Sequence, residues 1–179
     1  MTSSCLTAGS LAFGAAILGL LGSAGPAAAQ ATQPSSRTEI TTFDGWAVTC
    51  RTPDGGKRAC SAQLVITQTD DATKAVVPVF GWVFGLREGK VVGVFQLPTG
   101  VLIQPGVDVQ IGKETRKLVY SQCAPNGCEA IVPMEDAFNK AVAAVPTVDA
   151  TIVMLDGRGV KFSINMKGFD RALAEVRKQ

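Results

Sequence analysis

The sequence predicts a mostly β domain, a β-sandwich carrying two short helices. Apolar residues alternate with polar ones through about ten short runs, the period of half-buried strands. Turn chemistry rich in Gly, Pro, Asn and Asp separates those runs. Only two segments place their apolar residues at helical spacing. A closed barrel is the alternative arrangement of so many short strands.

The elements follow in order. Trp46 to Cys50 and Cys60 to Thr67 form a first hairpin around Arg51–Arg58, a turn containing Pro53-Asp54-Gly55-Gly56. Val76 to Leu86 is a longer apolar run that turns at Arg87-Glu88-Gly89-Lys90 and returns as Val91 to Leu97. Pro98-Thr99-Gly100 breaks the pattern. Val101 to Ile103 and Val107 to Ile111 flank Gln104-Pro105-Gly106, and Lys117 to Gln122 and Glu129 to Val132 flank a cysteine loop. Ile152 to Leu155 and Val160 to Met166 form a last hairpin, whose final strand alternates Val160, Phe162, Ile164 and Met166 inward. The helices are Met134 to Ala144, following Pro133 and opening with Glu135 and Asp136, and Phe169 to Arg177, with Phe169, Leu173 and Val176 on one face.

Three segments divide the chain. Leu11 to Gly22 is an uncharged apolar run, and small residues lead from it to Ala27-Ala28-Ala29-Gln30. That is a signal peptide over residues 1–29, with cleavage after Ala29, although its first residues carry no Lys or Arg. Cys5 precedes the apolar run, where a lipidated cysteine does not sit. Residues 30–42 read as a polar, flexible leader, and residues 43–179 as the folded domain. No second apolar stretch reaches the length of a membrane span.

Composition narrows the chemistry. Seventeen basic residues against fifteen acidic give a net charge of +2, too mild to draw the chain to nucleic acid. Lys113 to Lys117, the densest basic segment, reads as a solvated turn. The chain has no histidine, which removes Ser-His-Asp and Cys-His nucleophile systems and His-ligated zinc. Asp70 and Asp71 fall in a polar turn and Glu135 and Asp136 at a helix start, so neither pair reads as an acid–base couple, and no calcium-loop spacing is present. No catalytic residue, metal site or cofactor is expected. A carboxylate pair or a Ser-Lys pair remains the chemistry open to an enzyme.

Four cysteines follow the signal segment: Cys50, Cys60, Cys123 and Cys128. Cys50 shares a strand face with Trp46 and Val48, and Cys60 shares one with Ala62, Leu64 and Ile66. Antiparallel pairing of these strands joins Cys50 to Cys60. Cys123-Ala-Pro-Asn-Gly-Cys128 encloses an Asn-Gly turn, which joins Cys123 to Cys128. Each short loop closes for about 2–3 kcal/mol in the chain-entropy model. A four-cysteine metal site needs reduced thiols, and a redox pair favours C-x-x-C over the C-x4-C found here.

The least ordinary strand is Phe80-Gly81-Trp82-Val83-Phe84-Gly85-Leu86. One face carries Phe80, Trp82, Phe84 and Leu86; the other carries Gly81, Val83 and Gly85, to which the paired strand is expected to add Gly93. As a core strand its glycines mark close packing. As a binding surface, Gly81, Gly85 and Gly93 floor a shallow groove beside Trp82.

The motifs also resemble a known family. Asp44-Gly45-Trp46-Ala47-Val48-Thr49-Cys50, Cys60, Leu97-Pro98-Thr99-Gly100-Val101, Pro105-Gly106-Val107, Cys123-Ala-Pro-Asn-Gly-Cys128-Glu129-Ala130 and Gly168-Phe169 with Ala172 and Leu173 occur in the order and spacing of the invasion-associated locus B proteins. The opening differs, Asp-Gly-Trp standing where the family usually has Gly-Asp-Trp. The resemblance implies an immunoglobulin-like β-sandwich exported to the periplasm or outer surface, and it carries over no catalytic residue.

The expected function is a non-enzymatic envelope or surface domain that binds a protein or envelope component by strand-edge pairing or through the Trp82 segment, with host-cell interaction as one setting. An envelope-stress role is the alternative, and a carboxylate or Ser-Lys enzyme the less favoured one.

Overall fold

A computed structural model describes residues 36–178. The signal segment, Cys5 and the first part of the leader lie outside the described residues. The chain forms two antiparallel sheets and two helices. Strands β1 (Ser36–Phe43), β2 (Trp46–Pro53), β3 (Ala59–Thr69), β4 (Val76–Arg87) and β5 (Lys90–Leu97) run as a meander in one sheet. The chain then crosses to a second sheet for β6 (Val107–Ile111) and β7 (Glu114–Leu118). It returns for β8 (Tyr120–Ala124) and β9 (Gly127–Val132), which extend the first sheet beyond β5. Helix α1 (Asp136–Ala143), strands β10 (Thr147–Val153) and β11 (Gly159–Asn165), and helix α2 (Phe169–Val176) complete the domain. The sheets have seven strands, ordered β1-β2-β3-β4-β5-β9-β8, and four, ordered β11-β10-β6-β7. Each keeps two edges, so the barrel alternative is excluded and the fold is a β-sandwich.

Alternation does the local work. Trp46, Val48 and Cys50 are buried along β2, and Cys60, Ala62 and Leu64 along β3. The register sets Val48 opposite Ala62 and Cys50 opposite Cys60. The larger sheet is wider than the smaller one, so two different covers meet its inner face. The four-stranded sheet covers one part, with Phe80 of β4 and Phe162 of β11 5.1 Å apart. Helix α2 covers the part formed by β1, β2 and β3. Its Phe169, Ala172, Leu173 and Val176 are buried. The Phe169 ring lies 5.4 Å from Trp46 and 5.5 Å from both Trp82 and Phe84. Trp82 continues the cluster to Phe95 at 5.0 Å.

The start of α2 depends on one glycine. Gly168 has φ 86°, a left-handed conformation that L side chains disfavour. A Cβ there would also collide with the carbonyl group of Phe43. The β1–β2 turn is thereby held against the helix. Asp44, itself at φ 54°, accepts from Lys167 Nζ at 2.8 Å and from Arg171, whose guanidinium stands 5.4 Å over the Phe43 ring. Lys167, and then Arg171, hold the Asp44 carboxyl below its ordinary value of 3.8.

Several expectations change. Residues 36–42 are not a flexible leader but most of strand β1, so the folded domain begins before residue 43. Every residue of β1 except Phe43 is exposed, so no burial pattern marks it. The strand is held by eight consecutive backbone pairs with β2. Lys113 to Lys117 is not a simple turn: Glu114 begins β7, an edge strand on which Glu114 and Lys117 are exposed while the half-buried Arg116 stands 5.5 Å over the Phe138 ring. The expected strand Lys117 to Gln122 is divided at Val119, with β7 in one sheet and β8 in the other. Val101 to Ile103 makes only an isolated bridge, from Val101 to Met154. Strand β10 starts at Thr147, because Val148 and Ala150 extend the buried alternation of Ile152 past the polar Asp149.

Two outcomes follow. Gly168→Ala should destabilise the protein by at least about 1–3 kcal/mol, the cost of forcing a side chain into this backbone region. A lower denaturant midpoint at unchanged slope would show it, and an unshifted midpoint would show that α2 tolerates another start. Asp44 ionises more easily folded than unfolded, so its contribution is complete above its ordinary value of 3.8 and is lost as pH falls through the lower folded value. Asp44→Asn should therefore lower stability at neutral pH and flatten the acid limb of the stability–pH curve.

Candidate functional site

Strand β4 decides which surface is available. Phe80, Trp82 and Phe84 point inward and are 2 %, 0 % and 1 % exposed. Gly81, Val83 and Gly85 therefore face out. Strand register extends this outer face into three rows. One is Ala47-Gln63-Val83-Val94-Ile131, a second Thr49-Ser61-Gly85-Val92, and a third Val65-Gly81-Gln96-Glu129. Glu129 is the one charged side chain in these rows, although the chain has 17 basic and 15 acidic residues. Val65, Val92 and Ile131 are 42 %, 46 % and 56 % exposed.

The third row lies in a groove of about 450 Å³. Gly81 and Gln96 line its floor. A Cβ on Gly81 would lie 2.8 Å from Gln96 Oε1, so the missing side chain lets Gln96 lie down over the buried glycine. Val65, Pro78 and Val79 of the β3–β4 hairpin form one wall; Gln122, Asn126 and Gly127 of the β8–β9 hairpin form the other. The first hairpin bends at a register shift between Ile66 and Thr67. Its tip is closed by Asp70, which accepts from the Thr73 backbone N–H and hydroxyl at 2.7 Å each. Those bonds, the hydroxyl's first, hold Asp70 below its ordinary value. In the opposite wall the Cys123 and Cys128 sulfurs are 2.01 Å apart, and Gln122 Nε2 donates to Glu129 Oε2 at 2.7 Å. The other staple, Cys50–Cys60 at 2.11 Å, joins β2 to β3 on the inner side.

Two residues expected at a binding surface are elsewhere. Trp82 is core, its indole packed among Trp46, Phe95 and Phe169. Gly93 pairs with Phe84 and so faces inward, where a Cβ would lie 3.0 Å from Met134 Cγ. Gly81 and Gly85 do share the outer face. Val65, Gln96, Gln122 and Glu129 were not anticipated, and turn counting would have found part of the set. The two-residue loop Glu88-Gly89 pairs Arg87 with Lys90, and counting back from it pairs Gly81 with Gln96 and Phe84 with Gly93.

One serine and lysine among the described residues meet at a shared acid. Ser163 Oγ donates to Asp149 Oδ1 at 2.7 Å, and Lys161 Nζ to Asp149 Oδ2 at 3.3 Å, on the open face of the four-stranded sheet. The Ser163 bond, then Lys161, keeps the Asp149 carboxyl low. This serine and lysine therefore share an ionised acceptor in solvent. Asp136 pairs with Arg177 at 2.7 Å on the surface. Among the described residues no three His, Cys, Asp or Glu side chains gather as a metal site.

Two antiparallel sheets, closed over one core and joined within by two disulfides, define a stapled β-sandwich. The chain belongs to a defined family: the model of the invasion associated locus B (IalB) protein matches residues 46–177. The crystal structure of invasion associated protein b from Bartonella henselae is similar, with a TM-score of 0.63 at 19 % identity over 77 % of this chain and 94 % of that one. No curated protein matches. The two disulfides fit a non-cytoplasmic protein, and among the described residues no helix is long and apolar enough to cross a membrane.

Replacing Cys123 and Cys128 together by serine should lower stability by about 2 kcal/mol through loop entropy. The denaturant midpoint under oxidising conditions measures this. An unchanged midpoint would show that the groove wall holds without its bridge.

Proposed function

We propose that this chain is an exported, non-enzymatic binding domain of the cell envelope that engages a protein partner through the outer face of its seven-stranded sheet. The observation that carries this reading is the near absence of charge from the three rows around Gly81, Val83 and Gly85. Charged residues are depleted from the centres of protein interfaces, where ions are costly to dehydrate. Contiguous exposed apolar surface with a polar rim marks such a site. Gln96, lying over Gly81, presents its amide on the groove floor, and Gln63 and Gln122 add further donors and acceptors around it. Export rests on the signal segment at residues 1–29 and agrees with the two disulfides. Contact with a host cell is one setting for such a face; the Bartonella henselae relative is described as invasion associated.

A photo-crosslinking residue at Val94, with one at Thr151 on the opposite sheet as control, tests this in intact cells. A saturable adduct from Val94 alone is expected. Val83→Glu should weaken it at least about tenfold, equivalent to about 1.4 kcal/mol, while leaving the fold's circular dichroism unchanged. Equal adducts from both positions, or none from Val94, would sink the assignment.

A further inference from the structure

The four sheet edges are not alike. Strand β8 has five residues, a register shift between Tyr120 and Gln122, and the Cys123–Cys128 staple. Strand β7 has five residues, of which Glu114, Arg116 and Lys117 are charged. Strand β11 carries Lys161 next to its centre, paired with Asp149 of β10. Short length, bulges and charge are the devices that stop an edge from pairing with another chain. Strand β1 has eight residues in unbroken register with β2, no proline and no bulge. Its two charges neutralise each other, Arg37 Nε lying 3.0 Å from Glu39 Oε1.

The open edge is also self-complementary. The two-residue turn sets Phe43 opposite Trp46, and antiparallel alternation then turns the backbone groups of Thr42, Ile40 and Thr38 away from β2. A two-fold axis through Ile40 sets these residues against a second copy: Ile40 faces Ile40, and Thr38 faces Thr42 twice. Each is a favourable cross-strand pair of apolar or hydroxyl side chains. Glu39 then faces Thr41, and Arg37 faces Phe43, so no like charges oppose. Shifting the axis to Glu39 would set two carboxylates against each other, and shifting it to Thr41 shortens the overlap. Ile40, beside Thr49 of β2, is 68 % exposed in the single chain, and this arrangement gives it a second cross-strand neighbour.

We propose that two copies of this chain pair antiparallel along β1, centred on Ile40, joining their seven-stranded sheets into one continuous sheet. The interface is narrow, so the dimer forms reversibly at high concentration. It uses an edge distinct from the Gly81 groove, so either assignment can fail alone.

Sedimentation of the chain from Gln30 to Gln179 with its disulfides intact, from about 10 µM to 1 mM, tests it. A monomer–dimer equilibrium is expected, with the Ile40 amide exchanging more slowly as dimer accumulates. Ile40→Lys places two cations across the axis and should weaken association at least tenfold without touching the core. Ile40→Pro removes an outward N–H and should do the same. A chain that stays monomeric to 1 mM, or a dimer that both substitutions leave unchanged, would overturn the proposal.

Discussion

The contact of Phe169 with Trp46, Trp82 and Phe84 is the interaction on which the rest of the structure depends. The four-stranded sheet is too narrow to cover the inner face of a seven-stranded one, and β1, β2 and β3 would otherwise expose their apolar side. Helix α2 closes that gap. Aromatic pairs in these edge-on and tilted geometries are each worth about 0.5–1.5 kcal/mol beyond their buried area. The cluster also carries a cost, because neither the Trp46 nor the Trp82 indole N–H has a protein acceptor. Each dehydrated donor opposes folding by about 1–3 kcal/mol. Packing around these two rings must outweigh that, which accounts for the closeness of Phe169 and for the glycine that lets α2 start directly beneath the Phe43 carbonyl.

The same cluster creates the candidate site. Side chains alternate along a strand, so committing Phe80, Trp82 and Phe84 to the core commits Gly81, Val83 and Gly85 to the outside. A sheet with a fully occupied inner face is free to carry on its outer face whatever binding requires. Small or absent side chains in the middle of β4, with longer hairpins rising on both sides, make a concave floor on a surface that strand twist alone would leave open. The groove is thus a product of the packing on the reverse of the same strand.

Much of this was legible in the residues. Turn chemistry placed most strands, and the alternation of Val160, Phe162, Ile164 and Met166 gave β11 its orientation directly. The segment from Met134 and the one from Phe169 showed their helices by spacing. Strand β1 escaped because Ser36 to Thr42 buries nothing, and a strand held by backbone pairing alone leaves no mark in side-chain pattern. The break at Val119 escaped because both halves are strand-like, and only tertiary packing sends them to different sheets. Trp82 entered the binding-surface reading only through the glycines beside it in the strand, while its alternation with apolar neighbours reads as core. Its neighbours Phe80 and Phe84 were the better guide, since three large rings on one face define a core. Gly93 was assigned to the wrong face by proximity, where the register from Arg87 and Lys90 would have set it correctly.

The disulfides complete the physical account. Both bridge directly opposed residues of neighbouring strands, Cys50 with Cys60 in β2–β3 and Cys123 with Cys128 in β8–β9. Both lie in the seven-stranded sheet, one toward each end of its strand order. At one end the cover is a short helix, and at the other β8 is exposed along nearly its whole length. Cys50, Cys60 and Cys128 are themselves buried while Cys123 is exposed, so each bridge ties a strand pair at the margin of the core. In the chain-entropy model each contributes about 2–3 kcal/mol, a large share of the roughly 5–15 kcal/mol by which domains are stable. Stapling the ends of the wide sheet keeps its strands in register without adding apolar residues to the surface. Of the exposed apolar residues, Val65 lines the groove, and Val92 and Ile131 stand in the neighbouring rows of the same face.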